Sequence, residues 1–201
     1  MNTASLILSK PLEGKREVLD FYIKNNIKEG KMILFVLTDK NPEQVKQELL
    51  RERIFFKNLY FVDSYSQQTG EVHKDTENVK YIPGPLALNE LSIAISEFSR
   101  EFIRKKLGYI IIFDSLSTLL IYSNAEAIAR FLQILIAKIK NFNGNVLFTL
   151  EEGMHDQQTI ITIEHLIDSI IEIRKENNRV LVRIKEKDKI KDWTDLNNIS
   201  L

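Results

Sequence analysis

The chain has no cysteine among its 201 residues. That excludes a disulfide scaffold, a thiolate metal site and a cysteine nucleophile. It has no net charge either, with 28 Lys plus Arg against 28 Asp plus Glu. Nucleic-acid affinity rests on basic surface, so this balance argues against a general nucleic-acid binder. No apolar run approaches the ~18 residues that span a bilayer, and membrane insertion is not expected. Met1 to Leu8 lacks a basic segment followed by a long apolar one, so no signal peptide is expected. No Ser sits in a G-x-S-x-G turn, which removes the usual sign of a hydrolase elbow. What remains is an expectation of a soluble, cytoplasmic protein. No composition break or internal repeat divides it, so one domain spanning 1–201 is expected, with a core of about 4–188 and a polar tail at 189–201.

What is present is an alternation of two periods. Short apolar runs occur at Ser5–Ser9, Met32–Thr38, Leu59–Asp63, Val79–Ile82, Tyr109–Phe113 and Asn145–Leu150. They are apolar on both faces, as strands buried on both sides are. Between them, apolar residues recur at helical spacing. Val18, Leu19, Tyr22, Ile23 and Ile27 mark one helix, closed by Gly30. Asn41-Pro42 opens another, with Asn as cap and Pro in the first turn. Leu88 to Phe102 and Ile128 to Ile139 mark two more. Ile167–Arg174 and Arg179–Lys185 alternate around Glu176-Asn177-Asn178 and read as a β-hairpin. The expected fold is α/β: a mostly parallel central sheet, helices on both faces and a C-terminal antiparallel hairpin. In such sheets ligands bind beyond the carboxyl ends of the strands.

Two of those ends carry suggestive chemistry. Ser9-Lys10-Pro11-Leu12-Glu13-Gly14-Lys15-Arg16 follows the first strand and precedes the first helix. A phosphate-binding loop, G-x-x-x-x-G-K-[ST], uses glycine backbone to curl around phosphate, lysine to pair with its oxygens and a hydroxyl to hold Mg²⁺. Here Gly14 and Lys15 match, whereas Ser9 and Arg16 do not. Ile110-Ile111-Ile112-Phe113-Asp114-Ser115 reads as a Walker B strand ending in its carboxylate. With the segments Phe35–Glu43, Ile161–Asp168 and Arg183–Lys187, these fall in an order that resembles the KaiC-like branch of the RecA superfamily.

The resemblance implies a RecA-like ATPase core, often assembled as a ring with nucleotide between subunits. It implies ATP held at Gly14, Lys15, Arg16 and Ser115, with Asp114 as the carboxylate that holds Mg²⁺. The family's paired acids fall on Asp39 and Lys40, which leaves Asp39 as the catalytic carboxylate. Its paired inter-subunit bases fall on Lys185 and Lys187. Phosphoryl transfer depends on positioning and on metal-assisted charge stabilisation. Arg16 in place of the hydroxyl and Lys40 in place of an acid therefore imply weak hydrolysis or none. Two functions follow. One is a regulatory or assembly protein that still binds nucleotide. The other is a pseudo-ATPase interaction module that binds none. Both imply a protein partner or self-association.

Plainer roles stand beside these. Lys15 also suits a solvated first helix turn, and Asp114 a helix cap. Thr149 is a polar sensor or a core β-branched residue. Glu151-Glu152 has the form of a paired-carboxylate site, although neighbours on a strand point apart. Trp193 docks the tail onto its own body or onto a partner; its own body is the expectation.

Overall fold

The computed structural model describes residues 3–199 except Phe56, Glu71, Asn178 and Asp188. Five strands start the parallel frame: β1 (Ala4–Ser9), β2 (Met32–Leu37), β3 (Leu59–Asp63), β4 (Val79–Tyr81) and β5 (Tyr109–Asp114). β6 (Asn145–Glu151), β7 (Ser169–Glu176), β8 (Arg179–Glu186), β9 (Lys189–Ile190) and β10 (Thr194–Asp195) complete the sheet. The order is β10-β8-β7-β1-β6-β5-β2-β3-β4, with β9 also pairing β8. Strands β1 to β7 run parallel, and β8 turns back against β7.

The helices are α1 (Lys15–Lys28), α2 (Pro42–Arg51), α3 (Leu88–Arg104), α4 (Leu116–Tyr122), α5 (Ala125–Asn141) and α6 (Gln157–Glu164). Their sides follow from the strand period of two. On β5, Ile110 and Ile112 join Val18, Ile23, Val45 and Leu49 in the core beneath α1 and α2. Ile111 and Phe113 face the other way, into the core shared with α3, α5 and α6. Each face is therefore apolar for its own reason, and the central strands carry no polar side. On the α3 face, Phe102 packs edge-on against Tyr60 at 4.8 Å and near Tyr109 at 5.2 Å between ring centroids.

Helix starts agree with local chemistry. Asn41 accepts from the Gln44 backbone at 2.9 Å while the Gln44 side chain accepts from the Asn41 backbone at 2.9 Å. This reciprocal box satisfies two otherwise orphaned donors of α2. The short helices α4 and α6 and the two-residue strands β9 and β10 go beyond the expected elements. The hairpin pairs Glu176 with Arg179, two residues later in its first strand than expected; Asn178 lies outside the described residues.

Both edges of the sheet are partly covered. At β4, the outward N–H of Val79 donates to Thr76 Oγ1 at 3.1 Å and that of Tyr81 to Asp75 Oδ1 at 2.9 Å. At the far side, β9 and β10 each cover part of β8. Trp193 stacks there over the Arg174 and Arg183 guanidiniums, 4.3 and 4.6 Å from its ring centroid. The tail thus docks onto its own body.

Candidate functional site: an ionic cleft at the strand ends

Crossovers from β1 and β2 pass over the α1–α2 face, and those from β5 and β6 over the opposite face. The carboxyl ends of these four strands therefore border the crevice where ligands bind in open α/β sheets. The turn from β1 into α1 ends at Gly14, whose φ is 101°. A Cβ there would lie 3.1 Å from both γ-methyls of Val180 and 3.3 Å from a methyl of Ile173. Glycine is thus required both by backbone conformation and by the approach of the hairpin. Leu12 adopts φ 65° and is 98% exposed at the loop's tip. A position that favours glycine is occupied by a strained, solvated leucine.

Asp114 ends β5 and is 4% exposed. Its Oδ1 accepts from Thr149 Oγ1 at 2.7 Å and lies 3.7 Å from Lys15 Nζ. Its Oδ2 lies 2.8 Å from Lys40 Nζ. Burial pushes the Asp114 carboxyl up, but the ammoniums of Lys40 and Lys15 outweigh it and hold it below its ordinary value. Burial pulls Lys40 down, yet the adjoining Asp114 carboxylate holds its ammonium above the ordinary lysine value. The pair is ionised across the neutral range.

The network extends in both directions. Lys15 Nζ reaches Glu151 Oε1 at 3.2 Å. Lys40 Nζ lies 3.5 Å from Glu48 Oε2, and Glu48 also binds the Arg16 guanidinium. Arg16 Nε reaches one helical turn forward to Asp20 at 3.0 Å. Burial pushes the Asp20 carboxyl up despite that arginine. Lys15, Arg16 and Lys40 each hold two carboxylates. The chain Asp20–Arg16–Glu48–Lys40–Asp114–Lys15–Glu151 has one acid more than it has bases. Lys15, Arg16, Lys40, Glu48 and Asp114 of this chain line a cleft of about 330 Å³, with Arg51 and Glu52 on its wall and Leu19 as its apolar patch.

The structure brings together Gly14, Lys15, Arg16 and Asp114. Ser115 directly follows Asp114; it is 4% exposed, and its backbone N–H and C=O both bond the Thr38 hydroxyl, at 2.9 and 3.0 Å. Ser115 holds the β2 and β5 ends together. Asp114 does not cap α4, whose N-cap is Ser115. Asp39 stands on the rim, open to solvent on one side. Partial desolvation and the Asp114 charge push its carboxyl up. Lys185 is paired with Glu172, in the β7–β8 hairpin. Lys185 sits opposite Ile170, near the amino end of β7, and Lys187 follows β8. Both are remote from the Asp114 cleft along the strands. Glu151 and Glu152 diverge: Glu151 joins Lys15, whereas Glu152 lines a separate hollow with Lys10 and Trp193.

Glu48 was invisible to motif reading. Its signal was the demand for counter-charge: two cations, Arg16 and Lys40, replace a hydroxyl and an acid, and α2 brings carboxylates beside them. The donor set also bears on magnesium, which takes octahedral oxygen ligands at ~2.0–2.1 Å. Both Asp114 oxygens already face ammoniums, and Arg16 offers no oxygen. These residues do not fit that ion.

Among solved structures, the uncharacterized protein PH0321 from Pyrococcus horikoshii, crystallised with an unknown peptide, has a similar fold. The TM-score is 0.67 at 13% identity, over 92% of this chain and 84% of that one. No curated protein matches the sequence. Residues 19–173 match a family of unknown function, DUF7504, a span that contains Lys40, Glu48, Asp114 and Glu151 and begins just after the Gly14-Lys15 turn; the chain belongs to that family.

Proposed function

We propose that this protein is an interaction module on a P-loop-like scaffold, whose partner is a protein and whose cleft holds its own charges in place of a nucleotide. One observation carries the reading: Lys15, Arg16 and Lys40 are each engaged by two carboxylates. A phosphate group entering the cleft meets a net negative network and competes with Glu151 and Asp114 for Lys15. Hydrolysis faces the same obstacle, with no hydroxyl at Arg16 and a cation at Lys40. The peptide in the PH0321 crystal supports a protein partner for this fold. The zero net charge supports the same choice over nucleic acid. A cytoplasmic place is consistent with these properties, and among the described residues no helix is long and apolar enough to cross a membrane.

Titration calorimetry with ATP, with and without magnesium, tests the reading. The expected result is no saturable heat up to millimolar ATP. Binding that disappears in Lys15→Ala overturns it. That outcome favours the second reading, a regulatory nucleotide-binding protein with little turnover. Its support is the convergence of Lys15 on Asp114, 3.7 Å apart, at the ends of β1 and β5.

A further inference from the structure

Outside the cleft, several charged groups serve the body. Glu172, Arg183 and Lys185 pair within the hairpin. Asp63 satisfies the backbone N–H groups of Tyr65 and Ser66. Asp168 binds Lys140 and the Ala4 N–H. Glu151 is different. It ends β6, its backbone N–H donates to Ser117 Oγ at 2.9 Å, and its side chain is 29% accessible. Nothing in the packing of β6 requires a carboxylate there. The carboxylate reaches across to a lysine 136 positions earlier in the chain.

That lysine is the first residue of α1, directly after the Gly14 turn. A lysine at this place is the one that pairs with phosphate oxygens in a phosphate-binding loop. Carboxylate and phosphate oxygens are interchangeable partners for an ammonium, differing in charge and number of oxygens. Lys15 therefore has its anion supplied from within. Asp114 likewise has its cation supplied from within, by Lys40 at 2.8 Å.

We propose that Glu151 is a built-in substitute for phosphate, the residue that excludes phosphate ligands from this cleft. The proposal rests on reading the cleft as one that binds no nucleotide, and it adds the reason. With Glu151 in place, the seven-residue network is net negative and Lys15 is held between Glu151 and Asp114. With Glu151 neutral, the same network is balanced, and Lys15 faces the cleft with Asp114 as its remaining carboxylate. The ligand class admitted is a small phosphate anion taken without metal, because Lys40 keeps the cation place beside Asp114.

The test compares wild type with Glu151→Gln, using inorganic pyrophosphate in EDTA and titration calorimetry. The substitution keeps the side chain's shape at a half-exposed position, and a thermal melt confirms that it folds. The expected result is an affinity gain of at least about tenfold in Glu151→Gln, lost again in Glu151→Gln with Lys15→Ala. Unchanged affinity in Glu151→Gln overturns the proposal and leaves the interaction-module reading standing. A gain that survives loss of Lys15 also overturns it, because the anion then sits elsewhere. Tight pyrophosphate or ATP binding by the wild type overturns both.

Discussion

Two ionic networks lie at the two sides of β1, and they are built on opposite plans. In the cleft, the pivot is Asp114, with 5% of its side chain accessible, and its partners come from α1, the β2–α2 loop and β6. In the hairpin, the pivot is Glu172, with 17% accessible, and its partners Arg183 and Lys185 come from the adjacent strand. The Arg183 Nε bond to it, 2.6 Å long, spans 11 positions of sequence. The hairpin network is a cross-strand pairing that any two facing strands can make. The cleft network needs the whole sheet to be in register before its charges meet. Buried charge assembled at that expense contributes little to stability, since desolvation offsets much of the attraction. Its retention is a statement about the site.

The largest test of this contrast is Asp114→Ala. It strands Lys40 and Lys15 beside a buried cavity and is expected to cost about 4 kcal/mol in urea denaturation. Acid separates the networks further. The Asp114 carboxyl lies below 3.8 in the folded protein, so its contribution is complete above 3.8. It is lost as pH falls through the folded value. Asp20, raised by burial, works in the opposite sense, because protonation relieves it. Melting temperatures between about pH 6 and pH 2 are expected to fall more steeply for wild type than for Asp114→Asn. Parallel curves would show that Asp114 is not the acid-sensitive pivot.

Gly14 is where the two regions touch, through Val180 and Ile173. Gly14→Ala forces an unfavourable φ and a close contact, and about 2 kcal/mol is expected, read as a shift in urea midpoint. A smaller loss would mean that the hairpin yields and the two networks are mechanically independent. The smallest effect belongs to Glu172→Ala, expected to cost about 1 kcal/mol or less by the same measurement. A loss as large as that of Asp114→Ala would erase the distinction between them.

Much of this architecture was legible in the residues. Tyr109–Phe113 and Met32–Leu37 are apolar on both faces, and only a covered parallel strand satisfies that. Asn41-Pro42 placed the start of α2 to the residue. The misses have physical causes. In α6, the sequence QQTIITIE mixes threonine and isoleucine, residues that favour strands locally. It is helical because Asp156 caps it and Ile160 and Ile163 reach the core. In α4, LSTLLIY is too short for a period to show. β9 and β10 are two residues each and hold by pairing with β8, too short for any period to show. At the cleft, motif reading located Gly14, Lys15 and Asp114. The backbone joint of Ser115 with the Thr38 hydroxyl had no motif to announce it. Glu48 and Glu151 acquire meaning only after α2 and β6 are in position, so no spacing rule points to them.

The partly covered edges of the sheet set the terms on which this protein meets others. Among the described residues, Val79 and Tyr81 are capped by a threonine and an aspartate, and β8 is partly covered by two short strands, so a foreign strand finds only a shortened row of donors and acceptors to join. Recognition between chains falls to helix faces and loop tips, whose side chains discriminate among partners as bare backbone does not.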